Sequence, residues 1–209
     1  MQFDMNDQKI DTIIWDLGGV LIDWNPAYVF DKYFDDEEKT KYFFENICTS
    51  DWNEEQDAGR LITEATEELV TKHPEWEEAI RTYYGRWTEM LGGPIHETVD
   101  IFRELKEKTD LKFYALTNWS GELFPVALER FDFLHWFDGR LVSGDEKTRK
   151  PFREIYQLIL DRFNIEPTQA LFIDDNLRNI KAAEPFGLHT IHFKDPQQLR
   201  EVLSGKGLL

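Results

Sequence analysis

An apolar run near the start of the chain delivers one carboxylate, Asp16, into a pair of glycines. A carboxylate at the carboxyl end of a strand in an open parallel sheet points toward a ligand rather than the core. Gly18 and Gly19 allow positive φ angles and let backbone N–H groups approach a bound anion. These residues indicate a nucleophile facing an anion such as phosphate, although an aspartate that merely begins a turn explains the segment equally well.

Polar side chains also follow later apolar runs. Thr117 and Asn118 end the run at residues 111–116, and both are neutral donors suited to an anionic group. Lys150 precedes a proline that suits the start of a helix. Asp174 and Asp175 follow a third apolar run. Each has an ordinary alternative, as a loop hydroxyl, a surface lysine or a helix cap, but their joint order favours a common site.

Three of these carboxylates, Asp16, Asp174 and Asp175, are expected to converge on one crevice. They would repel one another and raise each other's pKa unless a cation neutralised them. Mg²⁺ prefers oxygen ligands and completes its shell with water and phosphate oxygens, whereas the absence of His and Cys at these positions argues against zinc. The backbone carbonyl of Gly18 is a further candidate ligand. The sequence therefore predicts a magnesium site.

The order of these motifs resembles the haloacid dehalogenase superfamily of hydrolases, whose signature is a nucleophilic Asp, then Thr or Ser, then Lys, then an acidic pair. The resemblance covers about residues 13–193. The segments at residues 16–20 and 173–176 look most like those of the capped subfamily that includes glucose-1-phosphatase-like enzymes and the N-terminal domains of epoxide hydrolases.

The resemblance implies an α/β fold, with a Rossmann-like three-layer parallel-sheet core and an inserted helical cap domain. We expect the core at residues 1–25 and 92–209 and the cap at residues 26–91. Strand and helix alternation in the sequence agrees with a parallel sheet. Five short strands are predicted, at residues 13–16, 113–117, 139–143, 171–174 and 190–193.

The activity that the resemblance implies is magnesium-dependent hydrolysis of small phosphate monoesters, such as those of sugars or other metabolites. Asp16 would attack phosphorus and form an aspartyl phosphate, which water then hydrolyses. Lys150, Thr117 and Asn118 would hold the phosphate oxygens. Asp16, Thr117 and Lys150 are thus the expected catalytic residues.

One departure from the family pattern concerns proton transfer. Most phosphatases of the superfamily carry a second Asp two residues after the nucleophile as general acid and base, and this chain has Gly18 there. Loss of such help typically costs ~10²- to 10⁴-fold in rate. Asp23 is the nearest other carboxylate, and a water or a cap residue are further alternatives.

Two other functions remain open. A 2-haloacid dehalogenase would form an ester on Asp16 without a metal, and its halide needs no proton, which suits Gly18. The acidic pair opposes this interpretation, as does the absence of any Arg between Asp16 and Arg60. The second alternative is a weak or inactive homologue that binds phosphate or a partner without turnover.

Candidates for the substrate pocket are less specific. Trp119 follows Asn118 directly and is expected to form a pocket wall. In the predicted cap, the candidates for substrate contact are Trp52, Asn53, Asp57 and Arg60. The last two could equally belong to a turn between helices.

Composition narrows the partners and the compartment. A net charge of −17 argues against nucleic acid and anionic membranes as partners. The chain has a single cysteine, Cys48, and therefore no internal disulfide. Residues 1–8 are polar and lack a signal-peptide profile, and no apolar run approaches the ~20 residues of a membrane span. We expect a cytoplasmic protein that acts on a small molecule, as a monomer or a homodimer.

Overall fold

The apolar runs of the sequence form one parallel sheet. The structure is a computed structural model that describes residues 9–209; residues 1–8, on which the expectation of no signal peptide rests, lie outside the described residues. The sheet contains β1 (Thr12–Trp15), β4 (Lys112–Thr117), β5 (Gly139–Val142), β6 (Ala170–Asp174) and β7 (His189–His192). The five predicted strands are thus present, with ends displaced by a single residue.

Helices cover both faces of this sheet. They are α6 (His96–Lys108), α7 (Phe124–Arg130), α8 (Ser143–Glu146), α9 (Arg153–Phe163), α10 (Leu177–Ala183) and α11 (Pro196–Gly205). The central strand β1 is buried along its whole length, as expected for a strand covered on both sides. Ile14 packs into one apolar cluster, whereas Ile13 and Trp15 pack into the other. The result is the predicted three-layer α/β architecture.

The strand order β5-β4-β1-β6-β7 determines where polar side chains meet. From β1 the chain runs to β4 and β5 on one side, then returns to β6 and β7 on the other. The direction of winding therefore reverses at β1, and ligands bind at the carboxyl ends of strands at such a switch point. Asp16, Thr117 and Asp174 follow or end the three central strands.

A helical segment separates the first strand from the rest of the sheet. It contains α1 (Ala27–Phe34), α2 (Glu37–Asn46), α3 (Ser50–Asp57), α4 (Ile62–Lys72) and α5 (Glu77–Gly85). Its interior is aromatic, with Phe30 in contact with Phe43 and Tyr83 at centroid distances of 4.6 and 6.0 Å. We call residues 26–91 the cap segment, after the predicted cap.

We call the five-stranded sheet with its covering helices, at residues 9–25 and 92–209, the sheet domain. Two short strands join the cap segment to it. They are β2 (Ile22–Trp24) and β3 (Leu91–Pro94), which pair antiparallel. This pair was not predicted from the sequence. Within residues 9–209, no helix has the length and apolar character needed to cross a membrane.

Candidate active site

Asp16 is held at the end of β1 by its own turn. Its backbone N–H donates to the carbonyl of Ile173 at 2.9 Å, and the N–H of Leu17 donates to Asp16 Oδ1 at 2.7 Å. Gly19 has φ +74°, and a Cβ there would collide with the carboxylate of Asp175. Only glycine therefore lets this turn approach the acidic pair.

Lys150 is fully buried between two of the carboxylates. Its Nζ lies 2.8 Å from Asp16 Oδ1 and 2.7 Å from Asp174 Oδ2. Burial alone would lower the pKa of Lys150, but the two carboxylates raise it above its ordinary value. Lys150 therefore stays cationic, as a group that attracts phosphate oxygens must.

Asn118 positions Lys150 through the backbone. Its Nδ2 donates to the carbonyl of Lys150 at 2.9 Å, and its Oδ1 accepts from the backbone N–H of Lys150 at 2.8 Å. Both ends of this side chain are thus used. The geometry favours a positioning role for Asn118 over the predicted direct contact with phosphate.

Asp174 is also fully buried and accepts several hydrogen bonds. Asn179 Nδ2 lies 3.1 Å from each of its oxygens, and the backbone N–H of Asn176 donates to Oδ1 at 2.8 Å. Asn179 was not recognised in the sequence, although its place in the first turn of the helix after Asp174 could have indicated it. These contacts hold the carboxylate toward Lys150.

The three carboxylates predicted to bind the metal, Asp16, Asp174 and Asp175, come together, and we call them the carboxylate cluster. One carboxylate oxygen from each of Asp16, Asp174 and Asp175 lies within 4.8 Å of the others. Burial raises the pKa of Asp16 well above its usual range, with Lys150 opposing and the other two carboxylates adding to the rise. Burial and the Asp174 charge likewise raise the pKa of Asp175. A donor set of carboxylate oxygens that repel one another fits a hard divalent cation.

Thr117 supplies a hydroxyl without a partner. The side chain is buried at the end of β4, and Oγ1 makes no hydrogen bond within the described residues. A buried hydroxyl in that state costs free energy unless a ligand uses it. The observation agrees with the predicted role in phosphate binding.

An open cleft of about 510 Å³ lies between the sheet edge and the cap segment. Asp16, Gly18, Lys150 and Asp175 line it from the sheet side, and Asn53 and Asp57 line it from α3. Trp119, the residue expected to form a pocket wall, lines a smaller adjoining pocket of about 90 Å³ together with Trp24 and Tyr84. Neither Trp24 nor Tyr84 was recognised in the sequence.

Two predicted contact residues do not line this cleft. Trp52 packs against Tyr83 and Tyr84 inside the cap segment, with centroid distances of 5.4 Å to each. Arg60 pairs with Glu68, also in the cap segment. We correct both predictions, since aromatic packing and an ion pair hold these side chains away from the cleft.

A pair of arginines ties α3 to the sheet domain. Glu54 Oε2 lies 2.7 Å from Arg149 Nη1, and its Oε1 lies 2.6 Å from Arg178 Nη2. These contacts could not be predicted from the sequence, because the partners lie far apart along the chain. They hold α3 at the cleft, where Asn53 and Asp57 line the same space as Asp16 and Asp175.

Comparison with sequence families and curated relatives agrees with this geometry. Residues 10–187 match the model of the haloacid dehalogenase-like hydrolases. The chain is 27% identical to sesquiterpene phosphatase astK of Aspergillus oryzae, over 87% of this chain and 89% of the relative. It is 24% identical to a phosphorylated carbohydrates phosphatase of Thermotoga maritima, over 88% and 84%.

Solved structures share the fold. A HAD family enzyme from Bacteroides thetaiotaomicron, in a magnesium complex, has a TM-score of 0.72 and 22% identity, over 93% of this chain and 98% of the other. An L-2-haloacid dehalogenase from Xanthobacter autotrophicus is less similar, with a TM-score of 0.60 and 16% identity over 94% and 83%.

Proposed function

Because this chain belongs to the haloacid dehalogenase-like hydrolases, we propose that it is a magnesium-dependent phosphatase that hydrolyses small phosphate monoesters through an aspartyl phosphate on Asp16. The single observation that carries the proposal is the cluster of Asp16, Asp174 and Asp175 around the buried Lys150. The dehalogenase alternative forms its ester on Asp16 without a metal, so it does not account for a group of carboxylates that fits a divalent cation.

In this mechanism one residue of the site attacks phosphorus, and others stabilise the charge on the phosphate. An oxygen of Asp16 attacks phosphorus in line with the bond to the leaving alcohol. Lys150 and the hydroxyl of Thr117 stabilise the negative charge on the phosphate oxygens. Water then attacks the aspartyl phosphate, which releases inorganic phosphate and restores the carboxylate.

The carboxylates of Asp16 and Asp175, with Asp174 and the carbonyl of Gly18, are the groups that would hold Mg²⁺. When bound, the ion neutralises the carboxylates and polarises the phosphate oxygens. The structural relative with bound magnesium supports this choice of metal.

Phosphorylated sugars or similar metabolites are the substrate class we propose. One relative is named for phosphorylated carbohydrates and another for a sesquiterpene. The relatives therefore support a phosphatase activity more firmly than they support any particular alcohol as the esterified part of the substrate. A cytoplasmic location agrees with the single, buried Cys48.

The test is the release of inorganic phosphate from p-nitrophenyl phosphate and hexose phosphates, with Mg²⁺ or with EDTA. Wild-type protein and Asp16→Asn are compared, and a parallel assay measures halide released from 2-chloropropionate. We expect magnesium-dependent phosphate release that disappears in Asp16→Asn. Metal-independent halide release would instead show a dehalogenase. Release of neither phosphate nor halide would favour a binding protein without turnover.

A further inference from the structure

The position of Gly18 leaves space where a proton donor is missing. A Cβ at Gly18 would meet no atom of the described residues within 4 Å, and Gly18 lines both the cleft and the smaller pocket. An alkoxide leaving from a phosphate ester needs a proton, so another residue of the cleft has to supply it. Asp23 does not, because it lies in a separate groove and its Oδ2 accepts from the Tyr28 hydroxyl at 2.6 Å.

Four carboxylates line the cleft, and three of them are engaged. Asp16 and Asp175 belong to the carboxylate cluster, and Glu54 pairs with two arginines. The fourth is Asp57, which makes no ion pair within the described residues. It is also the acidic residue that, like Gly18, lines both the cleft and the smaller pocket.

Asp57 is held through its side chain by the cap segment and through its main chain by the sheet domain. Asn53 Nδ2 donates to its Oδ2 at 3.3 Å, and Tyr84 holds Asn53 in turn, with its hydroxyl 3.0 Å from Oδ1. The main chain is anchored by Ser143, whose Oγ donates to the Asp57 carbonyl at 2.5 Å. A group that transfers protons needs such fixed placement.

We propose that Asp57, reaching over the site from α3, is the general acid and base that replaces the carboxylate missing at Gly18. This inference rests on the proposed phosphatase function and adds a catalytic residue to it. The cap segment then completes the chemistry as well as covering the substrate.

Protons balance over the two steps. As Asp16 attacks phosphorus, the bond to the leaving oxygen breaks, and that oxygen keeps the electron pair and takes the proton from the Asp57 carboxylic acid. The resulting Asp57 carboxylate accepts a proton from water as the water oxygen attacks the aspartyl phosphate. The bond between phosphorus and the Asp16 oxygen breaks, and the electron pair returns to Asp16.

The electrostatic surroundings suit both roles. Burial raises the pKa of Asp57 to about 7; the Glu54 charge adds to the rise, whereas Arg149 and Lys150 oppose it. Tyr83 and Tyr84 also face Asp57, and their own pKa values are raised, so both stay neutral. A general acid that must also act as a base works best with a pKa near the working pH.

The test compares esters that differ in leaving group. Asp57→Asn should lower kcat/KM for an alkyl phosphate such as a hexose phosphate by about 10²- to 10⁴-fold. The loss should be far smaller for p-nitrophenyl phosphate, because its stable phenolate leaves with little need of a proton. For the alkyl ester, the wild-type rate should fall above pH about 7 as Asp57 ionises, and this fall should be absent in the variant.

Asp51→Asn is the matched control, because Asp51 is an exposed carboxylate in the first turn of the same helix. It should change neither rate. In a second variant, Gly18→Asp added to Asp57→Asn should recover part of the alkyl phosphatase activity, because the space at Gly18 is open.

An equal loss on both ester types would overturn the proposal, since it would show that Asp57 only supports the structure. No loss on alkyl esters would overturn it as well. If the Asp57 variant does not fold, the wild-type protein still tests the proposal. Its rate should depend weakly on the basicity of the leaving group at pH 6, where Asp57 can donate a proton, and strongly at pH 9, where Asp57 is ionised. Failure of the phosphatase function is recognised separately, by wild-type protein that releases no phosphate from any ester.

Discussion

Thr117 carries a buried hydroxyl that makes no hydrogen bond to any of residues 9–209. Thr117→Val keeps the shape of the side chain and removes the donor. A hydrogen bond to a charged group contributes ~1.5–3 kcal/mol, so the affinity for inorganic phosphate should fall by roughly 10- to 100-fold. The free energy of unfolding should stay the same or rise slightly, because no internal hydrogen bond is lost. Product inhibition by phosphate measures the phosphate affinity, and urea denaturation measures the free energy of unfolding.

Thr98→Val is the matched control for this prediction. Thr98 is also buried, and its Oγ1 also has no hydrogen-bond partner in the described part of the chain, but it lies in α6, one of the helices that cover the sheet. Its substitution should leave phosphate affinity unchanged. Equal phosphate affinity in both variants would show that the Thr117 hydroxyl does not touch the ligand.

Some residues of the site could be predicted because apolar runs encode strand ends. Asp16, Lys150 and Asp174 were expected to meet, and the structure brings them into contact. The role of Asn118 could not be predicted, because a side-chain amide can form hydrogen bonds with a phosphate or with backbone groups equally well. Only the folded loop shows that both ends of its side chain hold the backbone of Lys150.

At the scale of elements, α3 contributes side chains to the cleft that the carboxylate cluster also lines. Glu54 fixes α3 through Arg149 and Arg178. Glu54→Gln should loosen this contact, because charge-assisted hydrogen bonds contribute ~1.5–3 kcal/mol and Arg149 is buried. We expect hydrogen exchange of the α3 backbone amides to accelerate by about tenfold or more. Mass spectrometry of peptides covering residues 50–60 measures it.

Glu55→Gln serves as the control, since Glu55 is the exposed neighbour on the same helix. It makes the same chemical change without removing a contact to the sheet domain. If both variants exchange at the wild-type rate, the ion pairs do not hold α3 in place.

The elements differ in how well the sequence encodes them. The strands of the large sheet could be predicted, because burial on both faces demands continuous apolar residues, as in the fully buried β6. The pair β2 and β3 could not, since each strand is short and β3 contains two glycines that interrupt any apolar pattern.

At the scale of the whole molecule, alternation of strands and helices predicts the layered fold, but not how the cap segment sits on it. That placement depends on contacts between distant residues. Glu54 and Arg178 are separated by 124 positions, and both are ordinary surface residues when seen in sequence alone. Ser143 and Asp57 also join the sheet domain to the cap segment. This contact uses the main-chain carbonyl of Asp57, so the type of residue at position 57 does not predict it.

A protein with a net charge of −17 that gathers three carboxylates in one place should be stabilised as a whole by the cation that they attract. A ligand that binds only the folded state adds ~2.7 kcal/mol at 100 times its Kd. For a chain of this size, that corresponds to a rise in Tm of roughly 5–11 °C. Thermal unfolding with and without Mg²⁺ measures the shift.

The shift should depend on pH and on the cluster itself. The pKa values of Asp16 and Asp175 are raised, so at pH 5 a larger fraction of these carboxylates is protonated than at pH 8. Because ligand oxygens must be ionised, Mg²⁺ should raise Tm less at pH 5 than at pH 8. Asp175→Asn should abolish most of the shift, whereas Asp110→Asn, at an exposed carboxylate outside the site, should retain it. An equal shift in both variants would mean that Mg²⁺ acts through the acidic surface in general, and the carboxylate cluster would then have no special affinity for it.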